Sequence, residues 1–127
     1  MTDLTIGQAQ RMTAPAPFAL LTSADKEGKT NIMAVSWWTY LSNHPVKIGA
    51  CLSNKGYSGG NIREGGEFAI CVVDEQLKDS ALQCGRCSGR STDKAAELGI
   101  ELAEAKMISP KVVAASKVGF ECKLSDM

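Results

Sequence analysis

The sequence predicts a small, mostly antiparallel β-barrel with short helices on its outside. Three observations lead there. Apolar runs of strand length, bounded by turn residues, recur along the chain. Their order is hairpin, strand, strand, helices, strand. No regular strand–helix–strand alternation occurs, which argues against a doubly wound parallel sheet. With 127 residues, 44% hydrophobic and 22% charged, the chain suits one domain over residues 1–127 and leaves no room for a second.

The elements follow in order. Thr13-Ala14-Pro15-Ala16-Pro17 is an extended lead-in, because each proline biases the residue before it out of the helical region. Phe18–Ser23 reads as a strand, Ala24–Lys29 as a polar turn with Gly28 available for positive φ, and Thr30–Trp38 as a second strand, or a strand running into a loop, the other arm of a hairpin. Pro45 opens a strand over Val46–Leu52. A polar, glycine-rich stretch, 53–60, leads to one helical turn at Asn61–Glu64, stopped by Gly65-Gly66. Phe68–Val73 is continuously apolar, the pattern of a central strand buried on both faces. Asp74 or Glu75 begins a helix reaching about Gln83, and 84–90 is a loop. Ser91 or Thr92 caps a helix over Asp93–Leu98, with Gly99 just past its end. Val112-Val113 has strand character. In Val118–Leu124 the residues Val118, Phe120, Cys122 and Leu124 alternate with Gly119, Glu121 and Lys123, the period of a half-buried strand.

Charge and composition narrow the function. Fourteen basic and fourteen acidic groups cancel, which argues against nucleic-acid and polybasic membrane partners. No apolar run approaches the ~20 residues of a membrane span. The Met1-Thr2-Asp3-Leu4 start lacks the basic and apolar segments of a signal peptide, so a cytoplasmic location is expected. Five cysteines, an odd number, fit reduced thiols better than a disulfide framework.

Nucleophilic and metal sites find little support. The single histidine, His44, sits beside Pro45 in a turn and reads as a solvated loop residue. Cys84-Gly85-Arg86-Cys87 is one CxxC without the second pair that a four-ligand zinc site needs, so no metal is expected. It follows a helix rather than opening one, unlike a thioredoxin-type pair; a thiol redox role stays open beside two inert loop thiols. Ser53–Ser58 supplies hydroxyls, a lysine and glycines that let backbone N–H groups converge on an anion just before a short helix; an ordinary polar loop has the same composition. In Asn31–Trp38, two tryptophans follow small and polar residues. Either the aromatics pack in a core or dimer contact, or the segment lies along a flat heteroaromatic ligand whose edge its backbone reads.

Taken together, these stretches resemble the flavin reductase-like family of FMN-binding split barrels, in particular its flavoredoxin branch. The matching residues are Pro15-Ala16-Pro17, Asp25 through Gly28 to Asn31, Ala34-Val35-Ser36-Trp37 and Leu41-Ser42-Asn43-His44-Pro45. They continue with Lys55, Tyr57, Ser58, Asn61-Ile62 and Gly66-Glu67-Phe68. Cys84-Gly85-Arg86-Cys87-Ser88-Gly89-Arg90 with Asp93-Lys94, and Glu121-Cys122-Lys123, complete the set. The resemblance implies a mainly β fold with flanking helices, a split β-barrel of Greek-key type. It also implies a homodimer and FMN held noncovalently near the subunit interface. Asn31, Met33, Ala34, Ser36 and Trp37 would lie along the isoalloxazine and ribityl chain. Ser53, Lys55 and Ser58 would hold the phosphate, and Ser88, Gly89 and Lys94 would approach from the loop and helix region. Lys55 stands where the family often has Arg, a point charge in place of a fork.

Family members continue past the Glu-Cys-Lys strand into one or two more strands, so the end at Met127 predicts an incomplete barrel with an open edge. The function implied is an FMN-dependent reductase, passing electrons or hydride from NAD(P)H or an electron-transfer protein to an acceptor. The cofactor carries that chemistry, so no catalytic side chain is expected. The alternatives are a non-catalytic flavin-binding or electron-carrier module, or a CxxC thiol redox protein.

Overall fold

The structure is a computed structural model that describes Thr5, Gln8 and residues 17–127; residues 13–16 of the lead-in lie outside the described residues. Four strands form one antiparallel sheet: β1 (Ala19–Ala24), β2 (Thr30–Val35), β5 (Glu67–Val72) and β8 (Val118–Lys123), in the order β2-β1-β5-β8. Two ribbons accompany it, β3 (Trp38–Asn43) with β4 (Val46–Ala50) and β6 (Leu102–Ala103) with β7 (Val112–Val113). Three short helices lie between strands: α1 (Tyr57–Gly65), α2 (Lys78–Cys84) and α3 (Lys94–Glu97). A 3₁₀ turn, Glu75–Leu77, precedes α2. The fold is mainly β, and its sheets do not close.

The β1–β2 hairpin forms as its sequence directs. Gly28 takes φ +81°, and the Asp25 carboxylate accepts the Glu27 and Lys29 N–H groups at 3.0 and 2.9 Å. β1 pairs β2 on one side and β5 on the other, with Leu21 opposite both Met33 and Ile70. Period-two alternation then divides the side chains between two cores. On one face Leu20, Ile32, Ala69 and Cys71 pack with Ala81 and Cys84 of α2 and with Ile100 and Val113. On the other, Ala19, Leu21, Val35, Phe68 and Ile70 pack with Trp38 and with Ile62 of α1. β5 is interior, as its unbroken apolar run predicts.

Five expectations are corrected. The second hairpin arm ends at Val35, and Trp38 starts a new strand that pairs with β4; Trp38 is buried and donates from Nε1 to the Pro17 carbonyl (2.8 Å), while Trp37 is exposed. The strand after Pro45 ends at Ala50 rather than Leu52. α1 begins at Tyr57, not Asn61: Gly59 and Gly60 join the helix, and Gly66 ends it at φ 71° with its N–H on the Ile62 carbonyl. α3 is capped by Asp93, whose carboxylate accepts the Ala96 N–H at 3.2 Å, rather than by Ser91 or Thr92. A two-residue strand, β6, escaped the reading because Leu102-Ala103 is too short for any period to register.

The strand β8 tests the alternation most closely. Phe120, Cys122 and Leu124 pack against the second core, but Val118 is 48% exposed. On the opposite face the Glu121 carboxylate accepts the Lys106 and Met107 N–H groups, at 2.9 and 2.6 Å. The neighbouring Glu67 carboxylate accepts the Ser109 N–H at 2.8 Å, and that bond holds its carboxyl below the ordinary value. Ile70 lies at the centre of this sheet, fully buried between Leu21 and Phe120. Ile70→Ala should therefore cost about 2–5 kcal/mol of stability in urea unfolding. Val118→Ala on the adjacent strand should stay within about 0.5 kcal/mol of wild type; comparable losses would contradict this assignment of the core.

Candidate functional site

Because β2 is the outer strand of the four, its outward row of N–H and C=O groups has no strand partner among the described residues. The two helices bracket that edge from opposite faces, α1 through Ile62 and α2 through Ala81 and Cys84. A cleft of about 260 Å³ opens between them. β2 contributes Asn31, Met33 and Ala34; the α1 end contributes Ser53, Gly56, Tyr57, Ser58 and Gly59. Cys84, Gly85, Cys87, Ser88, Gly89, Arg90 and Lys94 form the third wall.

Three contacts fix its shape. Asn31 Nδ2 donates to Ser58 Oγ at 2.9 Å, with both residues buried, tying β2 to the first turn of α1. Lys94, only 5% exposed, donates from Nζ to the Cys84 carbonyl at 2.8 Å, which joins α3 to the end of α2. An ammonium has three N–H donors, and among the described residues that carbonyl is its one hydrogen-bond partner. Gly89 passes so close to β2 that an added Cβ would stand 2.6 Å from Asn31 Cγ and 2.9 Å from Tyr57 Cδ1. Only glycine lets the loop lie this near.

The α1 end is suited to an anion. Its N-cap is Gly56, which offers no side chain, and no side chain caps the helix. The N–H groups of the first turn have no intrahelical partner, and the helix dipole is positive there. Arg90 stands beside it: Nη2 donates to the Lys55 carbonyl at 2.9 Å, and the guanidinium carbon lies 5.9 Å from the Tyr57 ring centroid. Tyr57 in turn donates its hydroxyl to Asp25 Oδ2 at 3.3 Å, linking α1 to the hairpin turn.

Of the residues singled out from sequence, Asn31, Met33, Ala34, Ser53, Ser58, Ser88, Gly89 and Lys94 meet in this cleft. Ser36, Trp37 and Lys55 are not among its lining residues. Ser36 and Trp37 follow the end of β2 and are exposed, and Trp37 faces a shallow depression with Leu41 and Gly49. The Lys55 side chain is exposed, and its backbone carbonyl is what Arg90 holds. Tyr57 and Arg90 were missed as site residues, although both stand in the quoted motifs. A larger space of about 730 Å³ lies between β4, α1 and Leu124–Met127. It lacks the convergent buried polar groups of the first. Among the described residues no cluster of three potential metal ligands occurs, and no helix is long and apolar enough to cross a membrane.

A family profile described as flavin reductase like domain matches residues 11–127, nearly the whole chain. The chain belongs to that family. Among solved structures, the flavin reductase like domain superposes on flavoredoxin of Desulfovibrio vulgaris (Miyazaki F) with a TM-score of 0.88 and 26% identity, over 98% of this chain and 68% of that one. The FMN-binding domain of a flavin reductases-like enzyme from Shewanella baltica gives 0.81 and 24%, over 99% and 66%. Nitrilotriacetate monooxygenase component B from Bacillus cereus gives 0.83 and 20%, over 99% and 69%. The architecture is therefore that of the split-barrel flavin reductase-like proteins. Curated relatives from Aeropyrum pernix, Halalkalibacterium halodurans and Aquifex aeolicus share 25%, 26% and 22% identity, and the chain spans 41%, 56% and 60% of their lengths.

The close approach at Gly89 has a measurable consequence. Gly89→Ala must push the 88–90 loop off Asn31 and Tyr57, and overpacking of this kind costs about 1–3 kcal/mol. Gly49→Ala meets only the exposed Leu41 side chain, at 2.9 Å, which can swing aside, so its loss should be smaller. Urea unfolding of the two variants compares them; equal losses would contradict the tight seat of the loop.

Proposed function

We propose that this domain binds FMN noncovalently at the open edge of β2 and acts as an FMN-dependent oxidoreductase. The observation that carries the proposal is the arrangement of the cleft: an unpaired strand edge with Asn31, Met33 and Ala34 on one wall, an uncapped helix start on the second, and a buried lysine on the third. The residues fit the group. Asn31, Met33 and Ala34 offer the ring a shallow surface and free backbone groups. Ser53, Ser58 and the first-turn N–H groups of α1 suit a phosphate, with Lys55 and Arg90 as cations at hand. Ser88, Gly89 and Lys94 approach from the loop side, where the remaining ammonium N–H groups would be available to an electron-rich group.

Bound FMN supplies one- and two-electron transfer. The chain's own residues would hold the ring in the cleft, with Lys94 supplying positive charge there, for exchange with an electron donor, NAD(P)H or a redox protein. No acid or base side chain is needed for this. The name of one neighbouring structure, an FMN-binding domain of a flavin reductases-like enzyme, supports the reading.

Pockets that bury most of a drug-sized ligand run to roughly 300–1,000 Å³. A cleft of about 260 Å³ therefore takes only part of FMN, and a second copy of the chain is the cover we propose. Trp37, Tyr40, Leu41 and Val46, all more than half exposed on or beside the β3–β4 ribbon, supply an apolar surface for it. Trp37 and Ser36 would then lie near the flavin from the interface side.

Binding titrations with FMN and riboflavin test the site. The double variant Lys55→Ala/Arg90→Ala should weaken FMN while leaving riboflavin, which lacks the phosphate, nearly unchanged. A charge-assisted contact contributes about 1.5–3 kcal/mol, or about 10- to 150-fold in Kd. Equal losses for the two ligands would contradict the phosphate assignment. Steady NAD(P)H oxidation by the loaded protein supports a reductase; bound flavin without oxidation by either nicotinamide or a reduced redox protein supports the carrier module.

A further inference from the structure

We propose that Cys84 and Cys87 form a second two-electron centre in the cleft, a dithiol that closes to a disulfide by passing its electrons to the bound flavin and reopens by the reverse transfer. The proposal rests on the flavin reading above and extends it.

Position sets these two cysteines apart. Both line the β2-edge cleft. Cys71 is sealed in the first core, Cys122 lies on β8, and Cys51 lines the separate space beside β4. The backbone also holds the pair together. α2 does not unravel after Cys84: the Gly85 N–H reaches the Leu82 carbonyl (3.2 Å) and the Arg86 N–H reaches the Gln83 carbonyl (2.9 Å). Cys87 Sγ then donates to the same Gln83 carbonyl at 3.5 Å. The two cysteines are thus joined by one tight turn at the end of α2, and both line the same cleft. Positions three apart on a helix hold their Cβ atoms about 5–6 Å apart, and a disulfide needs roughly 3.5–4.5 Å. A small tightening of this turn closes the gap.

The two thiols are chemically unequal. Cys84 is buried and Cys87 half-exposed. Burial pushes the Cys84 thiol above its ordinary value, the Lys94 ammonium opposes that shift, and Cys87 adds to it. Cys87 is therefore the accessible sulfur, and Cys84 the inner one beside the cation. In the forward step two S–H bonds break and one S–S bond forms. The two electrons and two protons released are those that oxidised flavin takes up to become dihydroflavin. No other reactant is needed.

The test has two arms on the full chain. First, flavin-free protein is equilibrated without oxygen in mixtures of reduced and oxidised dithiothreitol, quenched in acid and alkylated. Trypsin cuts after Arg86 and so parts Cys84 from Cys87. The expected result is a joined pair of these two fragments, lighter by two hydrogens than their sum, while Cys51, Cys71 and Cys122 remain alkylated. If even the fully oxidised mixture gives no such link, the proposal is overturned. Second, the reduced protein receives FMN without oxygen, and the oxidised protein receives reduced FMN. Loss or return of the visible flavin band should match the link formed or broken, mole for mole, and Cys87→Ser, with Cys84→Ser as a second variant, should abolish both changes. FMN that binds without any such exchange overturns the thiol proposal and leaves the flavin reading standing. FMN that does not bind overturns both.

Discussion

The structure turns on one constraint: an open sheet of four strands has two edge strands, here β2 and β8, and the cleft is built at β2. An exposed strand edge presents unpaired backbone donors and acceptors, which proteins normally cover or blunt. This chain leaves the edge open and builds walls beside it. The β1–β2 register decides what those walls meet. With Ser23 opposite Asn31 and Ala24 opposite Thr30, Asn31 points toward α1 and its Ser58. A slip of one residue would turn Asn31 to the other face and break the only side-chain bond between edge and helix. The tight turn at Gly28, held by Asp25, guards that register from the start of the hairpin.

Around the edge, polar groups are placed before any ligand arrives. Lys94 is buried with an acceptor for one N–H and capacity for two more. The first turn of α1 is left uncapped. Gly89 lets the loop after α2 come into contact with β2. Each feature taken alone costs stability: a buried ammonium resists desolvation, a glycine N-cap forgoes about a few tenths of a kcal/mol, and a loop glycine gives up backbone entropy. Together they leave donors oriented toward a common space, the condition for binding an electron-rich ring and a phosphate at opposite ends.

Much of the sheet was legible in the sequence as apolar runs bounded by turn residues, with period two in β8. β1, its turn and β5 follow from apolar runs bounded by Gly, Asp and Pro. Other features were hidden for physical reasons. Nothing in Ala34–Trp38 marks that the strand breaks at Ser36-Trp37, since β-branched and aromatic residues flank the break on both sides. Gly59 and Gly60 argue against a helix locally, yet packing of Ile62 under the sheet draws them into α1. The site was legible as segments but not as geometry. Arg90 and Tyr57 lie 33 residues apart in number, and their stacking exists only once the loop after α2 folds back over the start of α1. Cys84 and Cys87 looked like loop thiols until the end of α2 and the turn after it proved to flank the strand edge.

The central claim, that one flavin nucleotide occupies the space between the β2 edge, the start of α1 and the loop after α2, is tested most directly by amide hydrogen exchange with and without FMN. The account predicts slower exchange on FMN addition in peptides covering 30–35, 53–60 and 84–94, with the β6–β7 ribbon unchanged. Protection confined to β4 and 124–127, beside the larger cavity, would contradict it.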